Sequence, residues 1–587
     1  MCSESFAELT SPYGEPRLPS SIARLQANGD RGSCAESPAA FEVFEAFETA
    51  DRSRAGLVYN DAFRTVPFEV KMKREAQVLL VSLVCSLLAP VTVSQDRPSS
   101  TAPIRGFSAA HVASHREVEQ KLQRIPSAES AERHLRFLTA EPHMVGTEGS
   151  RRVAEYVRDQ LRSYGFDAEL VRYRVWLPHP RELKLELVAP GKKPLATQED
   201  PIAADKDTSN PRIVPGFNAY SPSGEVTAPV VYVNYGQPED FRRLAELGVN
   251  VEGKIVLARY GRSFRGVKAR VAEEHKAAGL IIYSDPADDG YVAGDPYPRG
   301  PWRPMSGIQR GSILYTFHYP GDPLTPEVAS TEQARRLDPA QAKSLPRIPA
   351  MPINPRDAQE ILKHLNGPRV REWQGGLPLT YHVGPGSARV RMKVAMDYQQ
   401  RTLYNVVARL RGENDNEWVI MGNHHDAWVF GAVDPSSGTA VMLETARALG
   451  ELARAGWKPR RTILVCAWDG EETGLLGSTE WVEENIEELR RKAVAYFNLD
   501  SAVSGPNFGA SATPSLREFV REVSREVPSL RAGMSVYEAW RDRVRRGPQE
   551  GRGRQGREVP LGNLGAGSDF TPFFHHGGIP SFDMGSG

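Results

Sequence analysis

Three apolar runs decide the fold: Trp418-Val419-Ile420-Met421 leading into Gly422-Asn423-His424-His425-Asp426, Thr462-Ile463-Leu464-Val465-Cys466-Ala467-Trp468 leading into Asp469-Gly470-Glu471-Glu472, and Val494-Ala495-Tyr496-Phe497 leading into Asn498-Leu499-Asp500. Each run is short, lacks polar alternation and stops at His, Asp or Glu. Unbroken apolar strands of this length are buried on both faces, as in a parallel sheet covered by helices. Helical text separates them: residues 437–452 combine good helix formers with an apolar face, and residues 480–490 are also helical. This alternation predicts an α/β fold with a doubly wound, mostly parallel sheet. Ligands of such sheets gather beyond the carboxyl ends of the strands, where all three clusters fall.

The clusters carry the chemistry. A ring nitrogen of His424 can take a metal, and Asp426, two residues on, can hold that ring from behind. Asp434, in Val433-Asp434-Pro435-Ser436-Ser437-Gly438, precedes a helix, and a carboxylate there can bridge two cations. So tight a turn leads us to expect a cis Asp434–Pro435 bond, which costs about 0.5–1 kcal/mol before proline. The adjacent carboxylates Glu471 and Glu472 repel each other unless one binds a cation and the other serves as general base. Taken singly, these motifs read as surface turns, an N-cap or a solvated acidic loop. Together they put one His, three carboxylates and a spare Glu at successive strand ends. Nitrogen and oxygen ligands without thiolate suit zinc or manganese, and a carboxylate bridging ions about 3.5–4 Å apart suits metal-assisted amide hydrolysis.

Outward from this core, residues 115–138 and 151–164 carry apolar residues at helical spacing, with Gly165 as the stop. Between 176 and 398 Pro and Gly rise, and short β-branched runs alternate with turn signals, which predicts a separate β-rich domain. Inside it, residues 273–278 read as a helix feeding the strand 280–283. The chemical core is therefore split into 110–175 and 399–587. The 73 basic and 73 acidic residues cancel, so charge argues against a nucleic-acid partner. Four cysteines form neither a metal pair nor a disulfide framework, and Cys466 reads as a core thiol. Residues 1–71 lack periodicity and read as disordered or as a mis-set start. Met72-Lys73-Arg74, the apolar run 78–88 and the small-residue end near Gln95 read as a signal peptide over 72–95. Export, secreted or periplasmic, follows; a buried helix or a single membrane anchor are the other readings.

From about residue 115 to 587 the chain resembles the di-zinc exopeptidases of the glutamate carboxypeptidase group, also called N-acetylated-alpha-linked acidic dipeptidases, whose non-catalytic cousin is transferrin receptor. The stretches that carry the resemblance include Phe264-Arg265-Gly266, Tyr283-Ser284-Asp285-Pro286-Ala287-Asp288, Gly321-Asp322-Pro323-Leu324-Thr325-Pro326, Trp428-Val429-Phe430-Gly431 and Gly474-Leu475-Leu476-Gly477-Ser478-Thr479-Glu480-Trp481. The resemblance implies that the middle region is a protease-associated domain. It implies two zincs: one on His424 and Asp500, one on Glu472, bridged by Asp434. Glu471 would be the general base, taking a proton from the bridging water and passing it to the leaving amine. Arg265 would grip a peptide's free α-carboxylate, with Phe264, Ser312, Gly567 and Ser568 around the substrate. A structural calcium would use Glu480, Glu483 and the carbonyls of Thr325 and Val328, and the family forms homodimers. The implied activity is a zinc carboxypeptidase acting on small peptides; a zinc aminopeptidase, or a non-catalytic or inactive truncated relative, are the alternatives.

Three departures qualify the resemblance. The family's last zinc ligand, a His, and its helical dimerisation domain lie beyond the position of Gly587, and His575 and His576 do not match that ligand. The second zinc is thus expected to bind weakly and residues 95–587 to have little peptidase activity. Ser312 stands where the family reads a glutamate side chain with Asn. Gly509-Ala510-Ser511-Ala512 and Phe582-Asp583-Met584-Gly585 replace a basic patch, which argues against a preference for acidic peptides.

Overall fold

In the computed structural model, which describes residues 103–546 and 558–587, the chain opens with three helices: α1 (Ala109–Arg124), α2 (Ala128–Leu138) and α3 (Glu148–Ser163). The helical text at 115–138 is therefore two helices. Pro126 cannot continue the ladder of α1, and Ser127 restarts it as an N-cap whose hydroxyl accepts from the Ser130 amide. Helix α3 is capped by Thr147 and ends before Gly165, which adopts φ 96°. The expected signal peptide at 72–95, residues 1–71, and Cys2, Cys34 and Cys85 lie outside the described residues. Among the described residues no helix is long and apolar enough to cross a membrane.

Strand β1 (Asp167–Ala189) leads into a segment with its own strands and helices. These are β2 (Gly224–Tyr232), α4 (Pro238–Glu246), β3 (Ile255–Arg259), α5 (Arg265–Glu274), β4 (Gly279–Tyr283), β5 (Ala350–Ile353) and α6 (Pro355–Leu362). Strands β2 to β5 lie side by side, each parallel to the next. The helix before β4 spans Arg265–Glu274 rather than 273–278: Gly266, Lys268, Ala269, Val271 and Ala272 are its buried residues, and Gly266 lets it approach Leu314. Strand β6 (Arg389–Leu410) then returns antiparallel to β1 along almost its whole length, from Asp167 opposite Arg409 to Ala189 opposite Arg389.

The chemical half follows: β7 (Asn414–His424), α7 (Ser436–Arg454), β8 (Arg461–Trp468), a helical turn Glu471–Gly474, α8 (Leu476–Lys492), β9 (Ala493–Asn498), β10 (Phe508–Ala512), α9 (Arg517–Glu526), α10 (Val536–Arg546) and β11 (Ser581–Ser586). The sheet order is β10-β11-β9-β7-β8-β6-β2-β3-β4-β5. The three apolar runs are thus adjacent, with β7 parallel to β8 on one side and β9 on the other. The register sets His424 opposite Trp468 and Gly422 opposite Asn498, so β7 and β8 stop level and β9 stops two residues short, which leaves Leu499 and Asp500 to reach the same end. Trp418, Ile420, Leu464, Cys466, Trp468 and Tyr496 are buried, which is why these strands carry no polar alternation. One ribbon, β1 with β6, joins this half to the inserted half, since β6 pairs with β8 at one end and β2 at the other.

Candidate active site

His424 is the last residue of β7 and is fully buried. Its Nδ1 lies 3.0 Å from the carbonyl oxygen of Asp426. A carbonyl only accepts, so Nδ1 carries a proton, and the neutral ring would present its lone pair at Nε2. Nε2 faces Asp434 Oδ1 at 3.2 Å and Asp500 Oδ1 at 3.3 Å, with Glu471 Oε2 at 3.9 Å. Among the described residues, His424, Asp434 and Asp500 form a group whose ligand atoms all lie within 4.8 Å of one another. Ligands bound tetrahedrally at about 2.0–2.1 Å stand roughly 3.3 Å apart, so the observed spacings fit a divalent ion of zinc's size.

The elements explain the convergence. Asp434 ends the loop after β7; its bond to Pro435 is cis, and Pro435 precedes α7. Gly438, in the first turn of α7, allows that helix to seat against the loop after β9: a Cβ there would stand 1.6 Å from the Leu499 carbonyl oxygen and 2.3 Å from that of Asp500. Asp426 ties two strand ends together, because its carbonyl holds the His424 ring while its Oδ1 accepts the Glu471 amide at 3.0 Å. Asp469, just before the Glu471 turn, is an anchor rather than a ligand. Its carboxylate accepts from Ser150 Oγ (2.7 Å) and the Tyr404 amide (3.0 Å), and burial pushes its pKa up to about 6.

Electrostatics favour a cation. Burial raises Glu471 well above the ordinary carboxylate range; His424 opposes this, and Asp500, Asp569 and Glu472 reinforce it. Glu472 is raised in the same way by burial and by Asp434. Asp569 is fully buried, and burial pushes it up to about 7. Burial alone would lower His424, but Asp500 and Glu471 outweigh it and hold the imidazole well above its usual value. Asp434, Glu471, Glu472, Asp500 and Asp569 repel one another around one imidazole, and a divalent ion among them removes that cost.

The remaining residues sort by what they touch. Glu472 lines the same cavity as Asp434, Glu471 and Asp500 but stands outside the close triad. Arg265 lines this cavity and the one next to it. Its Nε donates to the Ser312 carbonyl at 3.2 Å, and Gly311 makes room for it, since a Cβ there would lie 2.1 Å from that nitrogen. Phe264 packs beneath its guanidinium, 5.3 Å from ring centre to Cζ. Ser312 is buried, and its hydroxyl accepts from the Leu314 amide. Ser568, placed around substrate by the resemblance, is also buried. Its hydroxyl donates to Asp500 Oδ2 at 2.5 Å and accepts from Asn498 Nδ2 at 2.9 Å, so it orients a metal ligand. Gly567 lines both cavities.

The residues expected at calcium hold a loop. Glu480 is buried and accepts the amides of Asp322 and Ser330, at 2.7 and 2.5 Å. Glu483 accepts from the Tyr319 hydroxyl at 2.9 Å, and its other oxygen is buried without a partner. Thr325, in the loop between Asp322 and Ser330, is buried, whereas Val328 is exposed. His575 bonds to the Gly565 carbonyl and His576 rests against Tyr319, so neither joins the triad.

Residues 405–585 match peptidase family M28, and residues 226–315 match the PA domain. A probable glutamate carboxypeptidase of Arthroderma benhamiae is 40% identical over 464 residues, covering 76% of this chain and 61% of that protein. Aminopeptidase NAALADL1 of Mus musculus is 37% identical over 478 residues, covering 77% of this chain and 63% of that protein. A solved structure, the zinc aminopeptidase BSAP of Bacillus subtilis, is 20% identical with a TM-score of 0.48, covering 79% of this chain and 86% of that one. The chain spans less than two thirds of the length of the two curated relatives.

Proposed function

The chain belongs to peptidase family M28, and from that premise we propose that it is a zinc-dependent exopeptidase of the carboxypeptidase type, releasing carboxyl-terminal residues from small peptides. Arg265 carries the choice of end. It stands in the cavity beside Asp434, Glu471 and Glu472, and among the described residues it makes no ion pair. A guanidinium unpaired beside a metal-type triad is suited to a peptide's free carboxylate, which a planar fork binds in two places.

His424, Asp434 and Asp500 would hold one zinc, and Glu472 with a shared Asp434 would hold a second. Zinc so placed would polarise the scissile carbonyl and lower the pKa of the attacking water. The chain's own groups supply the rest. Arg265 fixes the substrate's carboxylate, and the Ser312 carbonyl and the Phe264 ring fix Arg265. Glu471 accepts the proton of the attacking water and delivers it to the departing amine nitrogen. Asp426 keeps Glu471 and His424 in register. Calcium near Glu480 and Glu483 is supported by the partnerless oxygen of Glu483. Export is supported by the segment 72–95, and amino-terminal sequencing of exported chain should begin near Gln95.

The end preference is tested with two blocked substrates. With zinc in excess to fill a weak second site, an acetylated dipeptide with a free carboxylate should be hydrolysed slowly, and the same peptide amidated at its carboxyl end should not. Cleavage only of peptides with a free amino terminus would make the protein an aminopeptidase.

A further inference from the structure

The cavity that reaches Asp434 and Asp500 of the metal triad shares walls with two further cavities. On one side the cavity shares Arg265, Glu471, Glu472 and Gly567 with a chamber lined by Phe264, Ser312 and Phe317. On the other side it shares Arg303 and Arg310 with a second chamber of about 390 Å³. That volume lies within the roughly 300–1,000 Å³ of small-molecule pockets. If Arg265 takes the carboxyl end, the second chamber receives the residues amino-terminal to the cleaved bond, so its lining decides which of them are accepted.

Its charges are all compensated. Arg310 makes a two-pronged pair with Glu199, at 2.6 and 3.1 Å, and donates to the Val214 carbonyl. Arg303 pairs with Asp289 at 2.7 Å, and Asp200 is held by Arg356 at 2.7 and 3.2 Å. No cation on this wall is left to attract an acidic side chain, in contrast to Arg265 in the opposite arm. The rest of the lining combines the apolar Ile202, Ile213, Trp302 and Phe430 with the uncharged polar Gln198, Thr208, Tyr297 and Ser306. Burying an apolar side chain against Ile213, Trp302 and Phe430 is favourable, whereas a carboxylate would lose water without gaining an unpaired cation.

Resting on the carboxypeptidase reading, we infer that the chamber bounded by Ile213, Trp302 and Phe430 is the subsite for the upstream residue, and that it selects apolar, aromatic-sized side chains over acidic ones. Binding tests this without turnover. The zinc-loaded full chain carrying Glu471→Gln is titrated calorimetrically with acetyl-Phe-Leu, acetyl-Gly-Leu and acetyl-Glu-Leu. The Phe peptide should bind at least tenfold more tightly than either other peptide. Trp302→Ala should remove most of that advantage and leave the Gly peptide unaffected. Ile213→Arg, at a half-buried position, should shift preference toward the Glu peptide. Equal or tighter binding of the Glu peptide, no measurable binding of any peptide, or an equal effect of the variants on all three would overturn the inference. The expected binding order without hydrolysis by the unmutated chain would leave the subsite standing and remove the peptidase reading.

Discussion

At the scale of single residues, Glu471 and Glu472 differ in task although they are neighbours. Glu471 faces the His424 ring at 3.9 Å and is positioned through its amide by Asp426. Glu471→Gln should keep metal content while kcat falls by about 10²–10⁴, the usual loss for a general base; metal analysis and turnover on one preparation check this. Ser568→Ala removes the hydroxyl that orients Asp500, and should weaken zinc on the order of 10–100-fold, as measured by chelator competition. The residues at the strand ends were readable because strand–helix alternation places them there. Ser568 was not readable in that role, since its partner is 68 positions away and nothing local marks the contact. Asp426 supports the ring as its spacing from His424 suggests, with its carbonyl at 3.0 Å and its Oδ1 at 3.5 Å from Nδ1; that the same Oδ1 also holds the next strand end is not legible from the spacing.

At the scale of elements, close approaches carry the site. Gly438→Ala would press α7 against the Leu499 and Asp500 carbonyls, and should cost about 1–3 kcal/mol of stability while weakening metal binding; denaturant unfolding and zinc titration measure both. Lys268, in α5, is fully buried and donates to the carbonyls of Tyr235 and Gly261 and to the Ser263 hydroxyl, pinning the turn that delivers Phe264 and Arg265. Burial lowers its pKa from 10.5 to about 7, with Asp240 and Asp288 opposing and Arg265 and Arg259 assisting. The unfolded chain therefore binds more protons than the folded chain between those values, so this group makes stability rise with pH from about 7 toward 10.5. Lys268→Met should flatten that rise in unfolding free energy and raise KM more than it lowers kcat. The helix carrying these residues begins eight positions earlier than the sequence pattern suggests, because its buried face is Gly266, Lys268, Ala269, Val271 and Ala272, where a lysine and small residues register weakly as an apolar stripe. The break at Pro126 is legible from proline chemistry once Ser127 is considered as a cap.

At the scale of the whole molecule, the α/β class and the inserted domain follow from where apolar runs and turn residues fall. The set of cavities that share walls around the site does not, because those walls come from segments about 100 and 200 residues apart. Zinc should raise the melting temperature of the full chain and chelation should lower it, since an ion bound only by the folded state stabilises it by mass action. His424→Ala should abolish that zinc-dependent shift in differential scanning fluorimetry, which separates the triad from adventitious metal.

The β1–β6 ribbon also orders events in time. Its strands pair Asp167 with Arg409 across more than two hundred intervening residues, so it closes only after the whole inserted segment has been synthesised. Contacts of such long separation are slow to form, because a large loop must be closed before any pairing is gained. The inserted strands β3, β4 and β5 pair within a shorter stretch and can mature first, leaving β2 with an open edge that awaits β6. Pulsed hydrogen exchange during refolding should therefore find the amides of β3 and β4 protected before those of β7 and β9. The convergence of His424, Asp434 and Asp500 would be the last arrangement the nascent chain acquires.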